Sequence, residues 1–264
     1  MSRLLLTNDD GVDSPALVPF ARALATRHEV TVVAPDGERS WIGKAVSRHA
    51  PITLVADERD GLALHHTSGT PADATQLGVH HVTAGDVDVV VSGINIGFNH
   101  GAAFLMSSGT VGAAIEGWIT GLPAVAFSTG TWGDDWAAWR RRVTQRGAVA
   151  EWARVGALCT EILDDVLASG LADHADVVTI NLPFEADTGT PRRVTDLARI
   201  GYGGLFQQLH DGRWRHQTVA LREIDDLSGT DVEAARDHVV TITPVRMPAS
   251  PSVPTDVRRR LERP

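Results

Sequence analysis

The sequence predicts an α/β fold: a mostly parallel sheet flanked by helices, carrying a C-terminal extended β-hairpin arm and a terminal helix. Short apolar runs of strand length, such as RLLLT at 3–7, EVTVVA at 29–34 and VDVVVS at 87–92, alternate with stretches of helical periodicity. Such unbroken apolar runs suit parallel strands buried on both faces. From 192 to 224 the pattern changes to strand-like alternation, with turn signals at Gly201, Gly203-Gly204 and Asp211-Gly212.

With 264 residues the chain can bury one large core, or one core with a small appendage. The segments read as a core over 1–190, a hairpin arm over 191–235, and a return strand with the C-terminal helix over 236–264. An apolar content of 43% and a charged content of 22% are ordinary for a soluble globular protein. The net charge of −9 argues against a nucleic-acid polymer as partner, which would call for a basic face. It leaves room for a small phosphorylated substrate held by a metal. The single cysteine, Cys159, excludes an intrachain disulfide and falls in a helical apolar pattern, so it reads as a reduced core residue. The N-terminus enters a strand at once, without a leader pattern, and no apolar stretch has the length of a membrane helix. A cytoplasmic protein with no membrane partner is expected.

The elements follow in order. Residues 3–7 end in Asn8-Asp9-Asp10-Gly11, and Ser14-Pro15 looks like an N-cap and first helical residue. Ala16 to Thr26 carries Leu17, Phe20, Ala21 and Leu24 at helical spacing. Glu29 to Ala34 closes a right-handed βαβ unit and runs into PDGERS (35–40), at the same end of the sheet as Asp9 and Asp10. Strand-like pieces are expected near 44–48, 51–56 and 62–66. Thr70-Pro71 starts a helix that continues to 82. Val87 to Ser92 is a buried strand that opens onto a glycine and asparagine loop, 93–101, and Ser107-Ser108-Gly109-Thr110 leads into a helix. Pro123 to Ser128 is a further strand.

The regular alternation breaks at 129–150. Trp132, Trp136 and Trp139 recur at i, i+4 and i+7 and read as a packed helix face, followed by Arg140-Arg141-Arg142 as a solvated one. Ala148 to Leu167 is a long amphipathic helix and Asp176 to Leu182 a late core strand. His238 to Thr243 is the last strand, and Pro254 to Arg263 a terminal helix.

Open α/β sheets bind ligands beyond the carboxyl ends of their strands. NDDG puts two adjacent carboxylates there, and they repel each other unless a cation sits beside them. Taken alone the motif reads equally as a polar turn whose Asx side chains cap the next helix. Small residues and free backbone N–H groups at the helix after Ser108 make an anion site. The eleven histidines include His65-His66 and His80-His81, but neither pair has the i, i+4 spacing of a zinc helix, so they read as structural or surface residues.

The succession TNDDG, PDGERS, GTPAD, VSGINIGFN, SSGTVGAAIEG, INLP and GTD…VVTITP resembles the SurE family of metal-dependent nucleotidases, from residue 3 to about residue 250. The stretch 129–225 contributes only INLP and a general strand pattern. The resemblance implies a Rossmann-like fold whose C-terminal arm is exchanged between subunits, and hence a homodimer or homotetramer. It implies hydrolysis of nucleoside 5′- and 3′-monophosphates with a divalent cation, Mg²⁺ or Mn²⁺, with Ca²⁺ also able to occupy the site. Carried over position by position, the metal ligands fall on Asp9, Asp10, Ser40 and Asn95, with Asp9, Asp10 and Asn95 as the catalytic set. The phosphate-contacting loop falls on Asn99, Ser108, Gly109 and Thr110, with Asn8 as a further contact. All four ligands are oxygen donors on loops that follow core strands, as a hard divalent cation prefers. A cation there could lower the pKa of the attacking water, and the helix N-terminus could hold phosphate oxygens as charge builds.

The chain departs from the family pattern beside this loop. Gly101-Ala102-Ala103-Phe104-Leu105-Met106-Ser107 is one residue longer and carries no acid where the family has an aspartate. That change bears on substrate more than on metal. It favours, as alternatives, a phosphatase for another small phosphorylated metabolite, or a ligand-binding homologue with reduced turnover. A dinucleotide-binding fold would want GxGxxG after the first strand, and a haloacid-dehalogenase phosphatase two aspartates separated by one residue. An aspartyl phosphate formed on Asp9 stays open. Trp41, next to Ser40, reads either as a base-stacking residue or as packing under its own loop.

Overall fold

The computed structural model describes residues 1–132, 135–217, 221–248, 250 and 252–262. In chain order the elements of its first half are β1 (Arg3–Thr7), α1 (Leu17–Ala25), β2 (Glu29–Pro35), β3 (Leu54–Arg59), β4 (Leu62–Thr67), α2 (Pro71–Leu77), β5 (Val89–Ile96), α3 (Gly101–Ser107), α4 (Gly109–Ile119) and β6 (Ala124–Gly130). There follow α5 (Trp136–Val143), α6 (Val149–Ala168), α7 (Leu171–His174), β7 (Val177–Pro183), β8 (Arg192–Val194), β9 (Ile200–Tyr202), β10 (Phe206–Gln208), β11 (Trp214–His216), β12 (Leu221–Glu223), α8 (Asp231–Arg236), β13 (Val240–Val245) and α9 (Thr255–Leu261).

Among the described residues nine strands form one sheet in the order β3-β4-β2-β1-β5-β6-β7-β13-β8. The run β4-β2-β1-β5-β6-β7 is parallel throughout; β3 joins one edge antiparallel, and β13 the other. Side chains of a strand alternate between faces, and here both faces are covered. Leu4, Leu6, Val91 and Phe127 pack on one face with Phe20 of α1 and Trp152, Cys159 and Ile162 of α6. Leu5, Val33, Val90 and Ala126 pack on the other, with Ala74 of α2 and Val111 and Ala114 of α4. The apolar run in β1 thus follows from its central place. Cys159 is buried and free, as its pattern predicts. No helix of the described residues is long and apolar enough to cross a membrane.

Several local expectations are corrected. Ser14 does not cap α1: residues 11–16 form turns in which the Ser14 carbonyl accepts from Leu17 N–H at 3.1 Å, and the helix starts at Leu17. Residues 44–48 form no strand, because their polar groups serve the start of α2. Thr70 Oγ1 donates to the Ala45 carbonyl at 2.6 Å, and Ser47 N–H donates to Asp73 at 3.1 Å. Thr70 also accepts from the Asp73 N–H while Asp73 accepts from Thr70 N–H, a reciprocal capping box. The helix expected to 82 is α2 to Leu77 and then one wider turn over Gly78–Val82.

The tryptophan stripe divides. Asp135 caps α5 through the Ala138 N–H at 2.7 Å, so Trp132 lies ahead of the helix and the i, i+4, i+7 spacing does not describe one face. Trp139 alone is core, edge-on to Phe184 at 5.7 Å.

The expected arm is shorter than the alternating pattern. β8 pairs in parallel with β13 and belongs to the main sheet. The hairpin itself consists of two antiparallel pairs, β9 with β12 and β10 with β11. Thr218, Val219 and Ala220, part of the alternation used to predict it, lie outside the described residues, as does Arg263 of the expected terminal helix. Phe206 of β10 and Trp214 of β11 are more than half exposed.

Candidate active site

The carboxyl end of β1 delivers Asn8, Asp9 and Asp10 into a tight turn. Asn8 builds that turn: its Oδ1 accepts from Gly11 N–H at 3.1 Å and its Nδ2 donates to the Gly11 carbonyl at 3.0 Å. Gly11 has φ +88°, and a Cβ there would lie 2.6 Å from the Gly37 backbone. Glycine at 11 therefore lets the loop after β2 lie directly on the loop after β1. Arg39 N–H then donates to the Asp9 carbonyl at 2.7 Å, which sets Ser40 beside the aspartates.

Two further elements close the site. β5 runs four residues beyond its sequence-predicted end, to Ile96, so Asn95 leaves the sheet paired with Ser128 of β6. Ile96 N–H donates to Asp10 Oδ2 at 3.1 Å, and Asn95 Nδ2 donates to the Gly97 carbonyl at 2.7 Å. Asn95 Oδ1 is thereby the end able to meet a cation. α4 points its N-terminus at Asp9: Ser108 is the N-cap and accepts from Val111 N–H at 3.1 Å, and the Thr110 hydroxyl donates to Asp9 Oδ1. A Cβ on Gly109 would fall 2.7 Å from Asp9 Cβ, so only glycine permits this approach. Asn99 is fixed from two sides, its N–H donating to Asn181 Oδ1 and its Nδ2 to Ser128 Oγ, each at 2.8 Å.

A cavity of about 590 Å³ opens above this floor. Asp9, Ser40, Asn95, Asn99 and Ser108 line it, whereas Asn8, Asp10, Gly109 and Thr110 are not among its lining residues. Asn8 is a turn builder and Thr110 a partner of Asp9, so their polar groups are spent within the site. The cavity walls hold Phe98, His100 and Phe104, to which the sequence assigned no site role, as well as Trp41, which it did. Phe98 stacks on Trp132 at 5.9 Å and lies 4.6 Å from the His100 ring. Opposite, Trp41 packs against Phe104, against Tyr202 of β9 and, at 4.9 Å, against His216 of β11. Trp136, Arg140 and Glu38 complete the rim. Arg140, expected on a solvated face, points its guanidinium over the Trp136 ring at 5.7 Å and pairs with Glu38 at 2.9 Å. The only signal for this was Glu38 itself, an acid inside the PDGERS loop.

The electrostatics are those of two crowded carboxyls whose nearby guanidinium, Arg140, is paired with Glu38. Burial pushes the Asp9 carboxyl above its usual range; hydrogen bonds from Thr110 oppose the shift and the Glu38 charge adds to it. Burial pushes Asp10 up too, helped by the Asp9 charge and opposed by the Ile96 N–H and Arg140. His100, buried at the cavity wall, is pulled down to about 3 and stays neutral, with no partner for its Nε2. Among the described residues no group of three or more His, Cys, Asp or Glu is placed to hold a metal. A cation here would have to take mixed carboxylate, hydroxyl and amide oxygens, the donor chemistry of Mg²⁺, Mn²⁺ or Ca²⁺. Asp9, Asp10, Ser40 and Asn95 fit that chemistry, and a cation would relieve the crowding of the two carboxylates.

The family model described as "Survival protein SurE" matches residues 4–203. A protein named 5′-nucleotidase SurE from Thermoanaerobacter sp. (strain X514) is 33% identical over 247 residues, covering 92% of this chain and 91% of its own. Its namesake from Methanothrix thermoacetophila is 32% identical over 259 residues, covering 96% of both. The crystal structure of the Sure protein from Aquifex aeolicus superposes with a TM-score of 0.74 at 26% identity, covering 98% of each chain.

Proposed function

The chain belongs to the SurE family, and we propose that it is a divalent-metal-dependent phosphomonoesterase acting on nucleoside 5′- and 3′-monophosphates. The observation that carries this reading is the pair Asp9-Asp10, adjacent and raised in pKa by burial, beneath a cavity that the N-terminus of α4 also faces. The names of the relatives, 5′-nucleotidase SurE, support the substrate class.

Asp9, Asp10, Ser40 and Asn95 would hold the cation. When bound it supplies Lewis acidity, offsetting phosphate charge and easing deprotonation of the attacking water. Thr110 fixes the rotamer of Asp9 by binding one of its oxygens, and Ile96 N–H does the same for Asp10. The hydroxyl of Ser108, the amide of Asn99 and the N–H of Gly109 are the groups left to bind phosphate oxygens, and the helix N-terminus favours the charge that develops there. Asn181 and Ser128 hold Asn99 in place for that contact. The aromatic walls give the nucleoside an apolar enclosure that limits water around the phosphorus. The exposed Phe206 and Trp214 on the hairpin strands support a homodimer or homotetramer in which the arm reaches a second copy.

Release of inorganic phosphate from nucleoside 5′- and 3′-monophosphates, a sugar phosphate and p-nitrophenyl phosphate tests the reading, with Mn²⁺ and with chelator. Turnover of nucleotides that chelator abolishes and Mn²⁺ restores is expected. A preference for the sugar phosphate would shift the substrate class while keeping the chemistry. Absence of release from every ester, with Mn²⁺ or Mg²⁺ present, would leave a ligand-binding homologue.

A further inference from the structure

Ser40 occupies an exposed loop, and a hydroxyl is a weak ligand unless its proton is turned away from the cation. The structure provides a group for that proton. Ser40 Oγ donates to Glu38 Oε1 at 2.7 Å. The same Oε1 accepts from Arg140 Nη2 at 2.9 Å, across 102 positions of chain. Arg140 is itself held by the Trp136 ring beneath its guanidinium. All four residues line the cavity. The chain Trp136–Arg140–Glu38–Ser40 therefore ties the rim helix α5 to the oxygen-donor floor of the site.

From this geometry we infer that Glu38 and Arg140 are positioning residues for the metal centre: Glu38 accepts the Ser40 hydroxyl hydrogen bond, so that the Ser40 lone pairs face the cation, and Arg140 fixes Glu38. The inference rests on the proposed role of Ser40 as a ligand. Glu38 acts through Ser40 and not as a ligand, in keeping with the lack of a three-carboxylate group here among the described residues. Nor does Arg140 act through its charge, which opposes a cation.

Mn²⁺ titration of the full-length, metal-free protein by calorimetry separates these roles from simple electrostatics, with thermal melts checking that each variant is folded. Loss of an outer partner of a ligand weakens metal binding by about 10–100-fold. Glu38→Ala should fall at about tenfold. Glu38→Gln, whose amide oxygen still accepts from Ser40, should stay within about threefold of wild type. Arg140→Met should weaken binding, although removing a cation would by charge alone strengthen it. In a Ser40→Ala background, Glu38→Ala should weaken binding no further, since its route to the metal is gone. Any of four results would overturn the inference: Glu38→Gln as poor as Glu38→Ala, tighter binding by Arg140→Met, additive losses in the double variant, or unchanged affinity throughout. A wild-type protein that binds no Mn²⁺ would overturn the metal centre itself and this role with it.

Discussion

Asp9 and Asp10 are adjacent carboxyls, both raised in pKa by burial. Each is expected to be indispensable: Asp9→Asn or Asp10→Asn should lower kcat for phosphate release by about a thousandfold or more, the scale of losing a main electrostatic stabiliser. Stability should move the other way. Both carboxyls have folded-state pKa values raised above the ordinary carboxylate value of 3.8, by burial first. For such a group the folded state binds its proton more tightly than the unfolded chain. The stability this contributes is complete below the ordinary carboxylate pKa and is lost as pH rises from there through the raised values. The metal-free protein should accordingly lose melting temperature between about pH 4 and neutrality. Asp10→Asn should flatten that loss and melt a few degrees higher than wild type at neutral pH, while Mn²⁺ should raise the wild-type melting temperature more as pH increases. A metal-free melting curve that rises with pH over this interval would contradict the electrostatic picture. The aspartates were legible because NDDG stands at a strand end at the head of a succession of SurE-like blocks; taken alone it reads equally as a polar turn. Asn8 follows the turn reading of that motif, bonding Gly11 three positions on, whereas the role of Thr110 was not legible, since its partner Asp9 lies 101 positions away.

The informative elements are α5 and the hairpin arm. Every buried parallel strand of the core was visible as an apolar run, since burial on both faces leaves a mark in composition. α5 was visible as a helix but its face was misread. Asp135 sets the start of the helix, and that one capping hydrogen bond separates Trp132 from Trp139. Trp132 then stacks on Phe98 at the cavity. Trp132→Ala should raise KM for nucleotides by about fivefold to a hundredfold, the worth of one base–aromatic contact, and change kcat little. Equal losses of kcat and of melting temperature would instead mark Trp132 as packing. Trp41 is expected to differ. It bridges Phe104 of α3 with Tyr202 and His216 of the arm, so Trp41→Ala should loosen the seat of the arm. Limited proteolysis should then cut within 203–217 faster than in wild type, and an unchanged cleavage pattern would return Trp41 to the substrate.

For the whole molecule, the hairpin arm poses a stability problem, because it carries exposed apolar side chains on its strands. An isolated two-stranded hairpin is only marginally stable in water. Its base is seated by Trp41 and Phe104, but Phe206 and Trp214 are 58% and 62% exposed in the single chain. A second copy would cover them. The intact protein should therefore scatter light as a dimer or tetramer at micromolar concentration, and a variant with 204–216 replaced by a short glycine turn should lose that state. A monomeric parent, or a variant with the parent's mass, would contradict the assembly. Alternation in the sequence announced the arm, yet it could not distinguish β8, whose three residues pair with β13 in the main sheet, from the strands beyond it. Strand pattern reports exposure of alternate faces and says nothing about the partner strand.

Phosphate release from a nucleoside 5′-monophosphate, measured side by side for the wild-type protein and Asp9→Asn with Mn²⁺ saturating, decides whether the site is a metal-dependent phosphomonoesterase centred on Asp9. The wild-type protein should turn over, chelator should stop it, and Asp9→Asn should be silent while remaining folded. Turnover by Asp9→Asn near the wild-type rate, or wild-type turnover indifferent to chelator, would contradict a metal-dependent phosphomonoesterase centred on Asp9.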